Sequence, residues 1–215
     1  MKKIMWIVAV LPVVVASMML QVIPDMIPHK IGIFIFPIVI LCVTFFWHLL
    51  IGTFEKKTVK ASTDKERMEA NSSARVLCVV GLSQAIMFGI MNYCILYSSC
   101  VQENVNGSKV TVDIARISCI LCGIIFVVVG NYMTKAKRNT VVGFRTAWSM
   151  YNDNTWRKSN RFGAICIIIT GLLTIITTVF TSGMTGTIFM LIYLLLATIV
   201  TVVYSKKIYD KEIKK

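Results

Sequence analysis

The chain has 215 residues, 56% of them hydrophobic and only 15% charged, with a mean hydropathy of +0.74. A water-soluble domain carries charge on about a quarter of its residues, so this composition excludes one and makes lipid the solvent for most of the surface. Lys and Arg outnumber Asp and Glu by 23 to 10, a net +13, but the cations lie between apolar runs, which reads as membrane orientation and excludes direct nucleic-acid binding.

Six apolar stretches are long enough to cross about 30 Å of hydrocarbon: residues 4–23, 31–53, 76–99, 114–133, 163–181 and 185–204. Backbone groups in lipid must pair within their own segment, so each span is read as a helix, giving an all-α polytopic membrane protein. Lys2 and Lys3 precede the first span in the manner of a secretory leader. That run is longer than a leader core and no small-x-small site closes it, so it is read as a retained helix.

Between the first two spans lies Pro24-Asp25-Met26-Ile27-Pro28-His29. The two prolines end one helix and shape a tight turn, and His29 reads as an interfacial residue. The next connection, residues 54–75, is rich in charges of both signs and is expected to extend an adjoining helix into water. Cys119 and Cys122 form a C-x-x-C inside an apolar run, without a second pair or a nearby His, so neither metal nor redox cofactor is implied. Pairing among Cys94, Cys100 and Cys119 stays open. Ser182 and Gly183 mark a turn short enough to force the last two spans into an antiparallel hairpin.

With the amino terminus inside, 20 of the 23 basic residues fall on the cytoplasmic side, leaving Lys30, Lys109 and Arg116 outside. The positive-inside rule is met at every connection, so both termini are expected in the cytoplasm.

The cytoplasmic connection 134–162 and its flanks carry the densest chemistry. Seven basic residues (Lys135, Lys137, Arg138, Arg145, Arg157, Lys158, Arg161) are interleaved with Phe144, Trp148, Tyr151, Trp156 and Phe162. Such a segment suits the membrane interface, with rings at headgroup depth and cations reaching phosphates, or a docking surface for a cytoplasmic protein. Phe144, Trp148 and Tyr151 follow at i, i+4 and i+7, so one helical face would present all three. Asn131 sits near the inner end of the fourth span, where an amide needs a partner. Gly143 suggests a backbone bend. Asp153 and Asn154 can cap a short helix through Lys158.

The order Gly130-Asn131-Tyr132, Lys135, Asn139, Gly143, Arg145-Thr146, Trp148, Trp156, Lys158, Arg161 resembles the signature of the SdpI family, bacterial immunity proteins against a secreted sporulation-delaying toxin. The chain departs from that pattern at Ala147 and near Arg138, where the family usually has Pro, and near Asn160, where it has His. More loosely, Pro24, Pro28 and His29, with Pro37, resemble an amino-terminal domain of unknown function often fused in that family. The spans and charges give a transmembrane hairpin at 1–53 and a cytoplasmic charged loop at 54–75, and the resemblance implies an SdpI-like four-helix membrane domain at 76–215. It implies a multi-pass protein of the bacterial plasma membrane with two partners besides lipid: a secreted peptide toxin sensed by outer-loop residues Pro24, Pro28 and His29, and a cytoplasmic transcriptional repressor held at the eleven motif residues from Asn131 to Arg161.

The alternative is a small-solute transporter or channel, but transport sites place ionisable groups within the membrane, and the spans hold almost none beyond His48 and Arg116 near their ends. No paired carboxylates, phosphate loop or nucleophile motif supports an enzyme.

Overall fold

The computed structural model describes residues 2–22, 32–104, 113–135, 138 and 143–214. Among these described residues six long helices run antiparallel in sequence: α1 (Lys2–Val22), α2 (Ile35–Lys60), α3 (Asp64–Asn104), α4 (Ile114–Met133), α5 (Asp153–Phe180) and α6 (Gly183–Ile213). A 3₁₀ turn, Gly32–Phe34, leads into α2. All six helices are long and apolar enough to cross a membrane, so this is an all-α, multi-pass membrane protein. An even number of spans returns the chain to the side on which it began, and the two termini share one end of the bundle.

The fourth span has the bounds expected from its apolar run, whereas the other helices differ. At 1.5 Å per residue the 41 residues of α3 reach about 60 Å, twice the hydrocarbon thickness, so its first turns stand clear of the apolar layer. Residues 54–75 are almost entirely helix. α2 continues to Lys60 and α3 begins at Asp64, leaving Ala61–Thr63 as the break. Asp64 and Glu66 lie in the first turn of α3 and Lys57 and Lys60 in the last turn of α2, each the sign that the helix dipole favours.

Helices α1 and α3 run parallel, with α2 packed against both. Met5, Ile51, Phe54, Ala74, Val76, Leu77 and Ala85 form a buried core at the end that carries the termini. Lys2 pairs there with Glu55. Further in, the indole N–H of Trp6 donates to His48 Nδ1 at 3.1 Å, and that of Trp47 donates to Gln84 Oε1 at 2.7 Å. Polar side chains inside the apolar layer are thereby satisfied between helices.

Helices α4, α5 and α6 pack through small residues. A methyl group at Gly171 would lie 2.5 Å from the Gly123 carbonyl oxygen, and one at Gly130 would lie 2.9 Å from that of Ala164. The α4 and α5 backbones are therefore nearly in contact. Thr170, Thr174 and Thr178 are buried on α5, and Thr174 Oγ1 donates back to the Thr170 carbonyl at 2.8 Å. Thr181 and Ser182 alone join α5 to α6, forming the expected hairpin. The six described cysteines are free thiols. Cys119 faces Thr187 of α6 at 3.1 Å while Cys122 faces Met87 of α3 at 3.9 Å, so the C-x-x-C pair diverges toward different helices.

At the end opposite the termini, one carboxylate joins two helices. Asp113 Oδ1 accepts from the Arg116 N–H at 2.9 Å, capping α4, and Oδ2 accepts from the Gly183 N–H at 3.0 Å at the start of α6. Arg116 in turn donates through Nε to the Thr178 carbonyl at 3.0 Å and through Nη2 to that of Val179, which covers the carboxyl end of α5. These two backbone N–H groups, Arg116 before Gly183, hold the Asp113 carboxyl below its ordinary value.

Candidate functional site

The connection from α4 to α5 is not the amphipathic helix that its aromatic spacing suggests. Residues 147–150 form a turn, closed by the Met150 N–H donating to the Thr146 carbonyl at 3.1 Å. Thr146 and Ser149 bond reciprocally. The Thr146 N–H donates to Ser149 Oγ at 2.8 Å, and the Ser149 N–H donates to Thr146 Oγ1 at 3.0 Å. Ser149 Oγ also donates to the Phe144 carbonyl at 2.9 Å and is fully buried. Hydroxyls that bond locally stabilise turns at the expense of helix, and here they outweigh the aromatic periodicity. Phe144, Trp148 and Tyr151 consequently do not share a helical face: Phe144 lies against Gly163, Trp148 lies under Lys206, and Tyr151 meets Tyr209 edge-on.

The α5 helix starts from a capping box. Asn152 Oδ1 accepts from the Thr155 N–H at 2.7 Å and Thr155 Oγ1 accepts from the Asn152 N–H at 3.0 Å. Asn152 is therefore the cap, in place of the Asp153 and Asn154 that were expected, and the helix it opens is the 28-residue α5 rather than a short one. Asp153 is left free to bind cations and accepts ion pairs from Lys65 at 2.9 Å and Arg138 at 3.0 Å. It sits ten residues before the apolar run begins at Gly163, and the Lys65 hydrogen bond, with Arg138 beside it, holds its carboxyl below the usual range. Asp153 likewise raises the Lys65 ammonium. Asn154 donates to both carboxylate oxygens of Glu212 at 3.0 Å, tying the start of α5 to the end of α6.

At the centre stands Asn160, 1% exposed. Its Nδ2 donates to the Met133 carbonyl at 2.7 Å, at the end of α4, and its Oδ1 accepts from the Phe144 N–H at 3.1 Å. One amide thus fastens both ends of the connection to α5. Gly143 is held beside it at φ +113°, the left-handed side that L residues avoid. A methyl there would lie 2.6 Å from the Trp156 ring and 2.7 Å from Asn160 Oδ1. The bend read from Gly143 is present, and its close approach leaves no room for a side chain. Ser72 of α3 donates to the Lys135 carbonyl at 3.0 Å, adding a tie from the amino-terminal helices.

The motif residues divide by exposure. Gly143, Thr146 and Trp156 belong to this buried or half-buried framework, while Asn131, Tyr132, Lys135, Arg145, Lys158 and Arg161 are exposed. Trp148 is half-buried, with the Lys206 ammonium 5.8 Å from its ring centroid, and Lys135 stands over Tyr132 at 5.3 Å. Asn131 is not the buried amide that its position near the end of the span suggested; Asn160 is. Asn139, Pro24, Pro28 and His29 lie outside the described residues. A cleft of about 340 Å³ opens beneath the connection, lined among others by Lys65, Lys135, Arg138, Asp153, Arg157 and Asn160. The arrangement offers charge-assisted hydrogen bonds and stacking to a partner from a rigid base.

Asn160, Ser149 and Asp153 carry this geometry without having been singled out for it. The Asn152-x-x-Thr155 cap was readable from the sequence, but the pairing of Asp153 with Lys65, 88 residues away, had no local signal.

Comparison with known proteins bears on the same region. The model of the SdpI/YfhL protein family matches residues 135–205. The immunity protein SdpI of Bacillus subtilis (strain 168) is 29% identical over 105 residues, so the match spans about half of each protein, 49% of this chain and 49% of that one. No solved structure matches. Residues 135–205, which hold the connection and most of the α5–α6 hairpin that supports it, are thus similar to the SdpI/YfhL protein family.

Proposed function

We propose that the chain is an immunity protein of a bacterial plasma membrane, with both termini and residues 134–162 facing the cytoplasm. It protects its cell from a secreted peptide toxin, and the exposed basic and aromatic side chains of the connection take a cytoplasmic transcriptional repressor as partner. The reading assigns no catalytic step and no cofactor to the chain. The observation that carries it is the way burial divides residues 143–161. Buried Asn160, Ser149 and Trp156 make the connection a rigid base, and Arg145, Lys158 and Arg161 project from it. A residue set that served only to anchor the loop in lipid headgroups would not require that internal hydrogen-bonded framework. Signal transfer has a physical route: toxin bound among the helices would favour one packing of α4 against α5, and Asn160 would pass that shift to the connection.

Expression in a toxin-sensitive host tests the immunity. Survival rises with the wild-type chain, and an unchanged survival curve refutes the reading. A cysteine placed at position 145 stays unlabelled by an impermeant reagent in intact cells and becomes labelled after permeabilisation; labelling in intact cells reverses the orientation. A photocrosslinker at position 148 captures the repressor from the wild-type loop and yields several-fold less product with Arg145→Ala.

A further inference from the structure

A second site lies within the membrane, away from the connection. Between the parallel helices α1 and α3 is a cavity of about 330 Å³, lined by Val8, Pro12, Gly89, Ile90, Asn92 and Tyr93 among others. Its rim is open to lipid, since Leu11, Ile86, Ile90 and Tyr93 are exposed. Its floor is open because two small or compact residues face each other: a methyl at Gly89 would meet only the Pro12 ring, at 3.9 Å.

Polar groups interrupt this largely apolar lining, the Asn92 amide and the Tyr93 hydroxyl among them. Asn92 is 2% exposed, and its amide makes no hydrogen bond among the described residues. Pro12, inside α1, has no N–H to offer the Val8 carbonyl four residues back, so that acceptor lacks its helical partner. An amide and a carbonyl left unpaired in a low-dielectric layer are costly. Acyl chains fill apolar space but offer neither donor nor acceptor.

The geometry points to this groove as a docking site for an apolar peptide helix that enters sideways from the bilayer and presents a hydrogen-bonding side chain at the depth of Asn92. A helix fits where small residues permit close approach, and interhelical amide contacts are the means by which membrane helices are selected. The inference deepens the immunity reading and rests on it in one respect: under that reading the natural occupant is the toxin.

The test uses the full chain in phosphatidylcholine vesicles, with the photoreactive residue benzoylphenylalanine at position 93. The probes are two dilute synthetic transmembrane peptides, one of Leu and Ala throughout and one with a single central Asn. The Asn peptide crosslinks at about fivefold lower concentration, as expected for one interhelical hydrogen bond. Asn92→Leu brings the two peptides to equal yield. Gly89→Leu, which fills the groove without touching Asn92, suppresses both, while circular dichroism and size-exclusion profiles confirm that each variant is folded. Equal crosslinking of the two peptides to the wild-type chain, or an Asn92→Leu variant that still prefers the Asn peptide, overturns the proposal and leaves the groove to lipid. Asn92-dependent binding in cells that gain no toxin resistance would overturn the immunity reading and leave the groove standing.

Discussion

Replacing Asn160 by Ala removes the one side chain that fastens both ends of the α4–α5 connection. The Phe144 N–H, 3.1 Å from Oδ1, loses its acceptor in a nearly fully buried place, and the Met133 carbonyl, 2.7 Å from Nδ2, loses a donor. A buried group left unpaired costs about 1–3 kcal/mol. The carbonyl falls at the low end of that range, because Asn160 lines the adjoining cleft and water can follow the side chain out. The two losses together weaken local closure by about 2–4 kcal/mol. Hydrogen exchange on the chain in nanodiscs reads this directly. Protection of the Phe144 amide falls by about 30- to 700-fold, at about 1.4 kcal/mol per tenfold, and amides in the middle of α5 and α6 keep theirs. If Phe144 protection is unchanged, the amide is not the fastening; if protection is lost equally throughout α5, the effect is global and the local reading fails.

Two glycines separate packing from chain entropy. Gly171→Ala forces a methyl to 2.5 Å from the Gly123 carbonyl and lowers unfolding stability by about 1–3 kcal/mol, whereas Gly52→Ala, with nothing within 4 Å, raises it by about 0.5–1 kcal/mol, both read as shifts in thermal midpoint. At the opposite end, Asp113 has a folded-state carboxyl below its ordinary value, so its contribution is complete above the unfolded carboxyl's titration and is lost as pH falls through the lowered folded value. The wild-type midpoint therefore declines below about pH 4 more steeply than that of Asp113→Asn, and parallel curves would refute the clasp. The Lys65–Asp153–Arg138 cluster is exposed, so Asp153→Asn costs at most about 1 kcal/mol in the same assay. A larger loss would show that it secures the connection by some other contact.

The membrane architecture was legible because lipid imposes the rule directly on the chain. A run of about 20 apolar residues has no other way to pair its backbone, and the fourth span even has its observed bounds, Ile114–Met133. Hydropathy registers only the layer in lipid, so it does not mark the remaining helix ends. The mixed charges of residues 54–75 did point to a helix extended into water, which Asp64–Arg75 of α3 supplies, whereas the continuation of α5 over Asp153–Phe162 was missed.

At the site, residue types announced the chemistry but not its arrangement. Gly143 was readable as a bend, and the family resemblance drew attention to about thirty residues around it. Which side chains would be framework and which would be presented was not readable, because burial depends on helices brought together from elsewhere. Asn131 and Asn160 are the same residue type near the same end of the bundle, yet one is exposed and the other bonded on both sides. The apposition of Pro12, Gly89 and Asn92 is of the same kind. Sequence spacing governs what a single helix face carries, whereas a cleft is made by two helices whose relative placement no local pattern encodes.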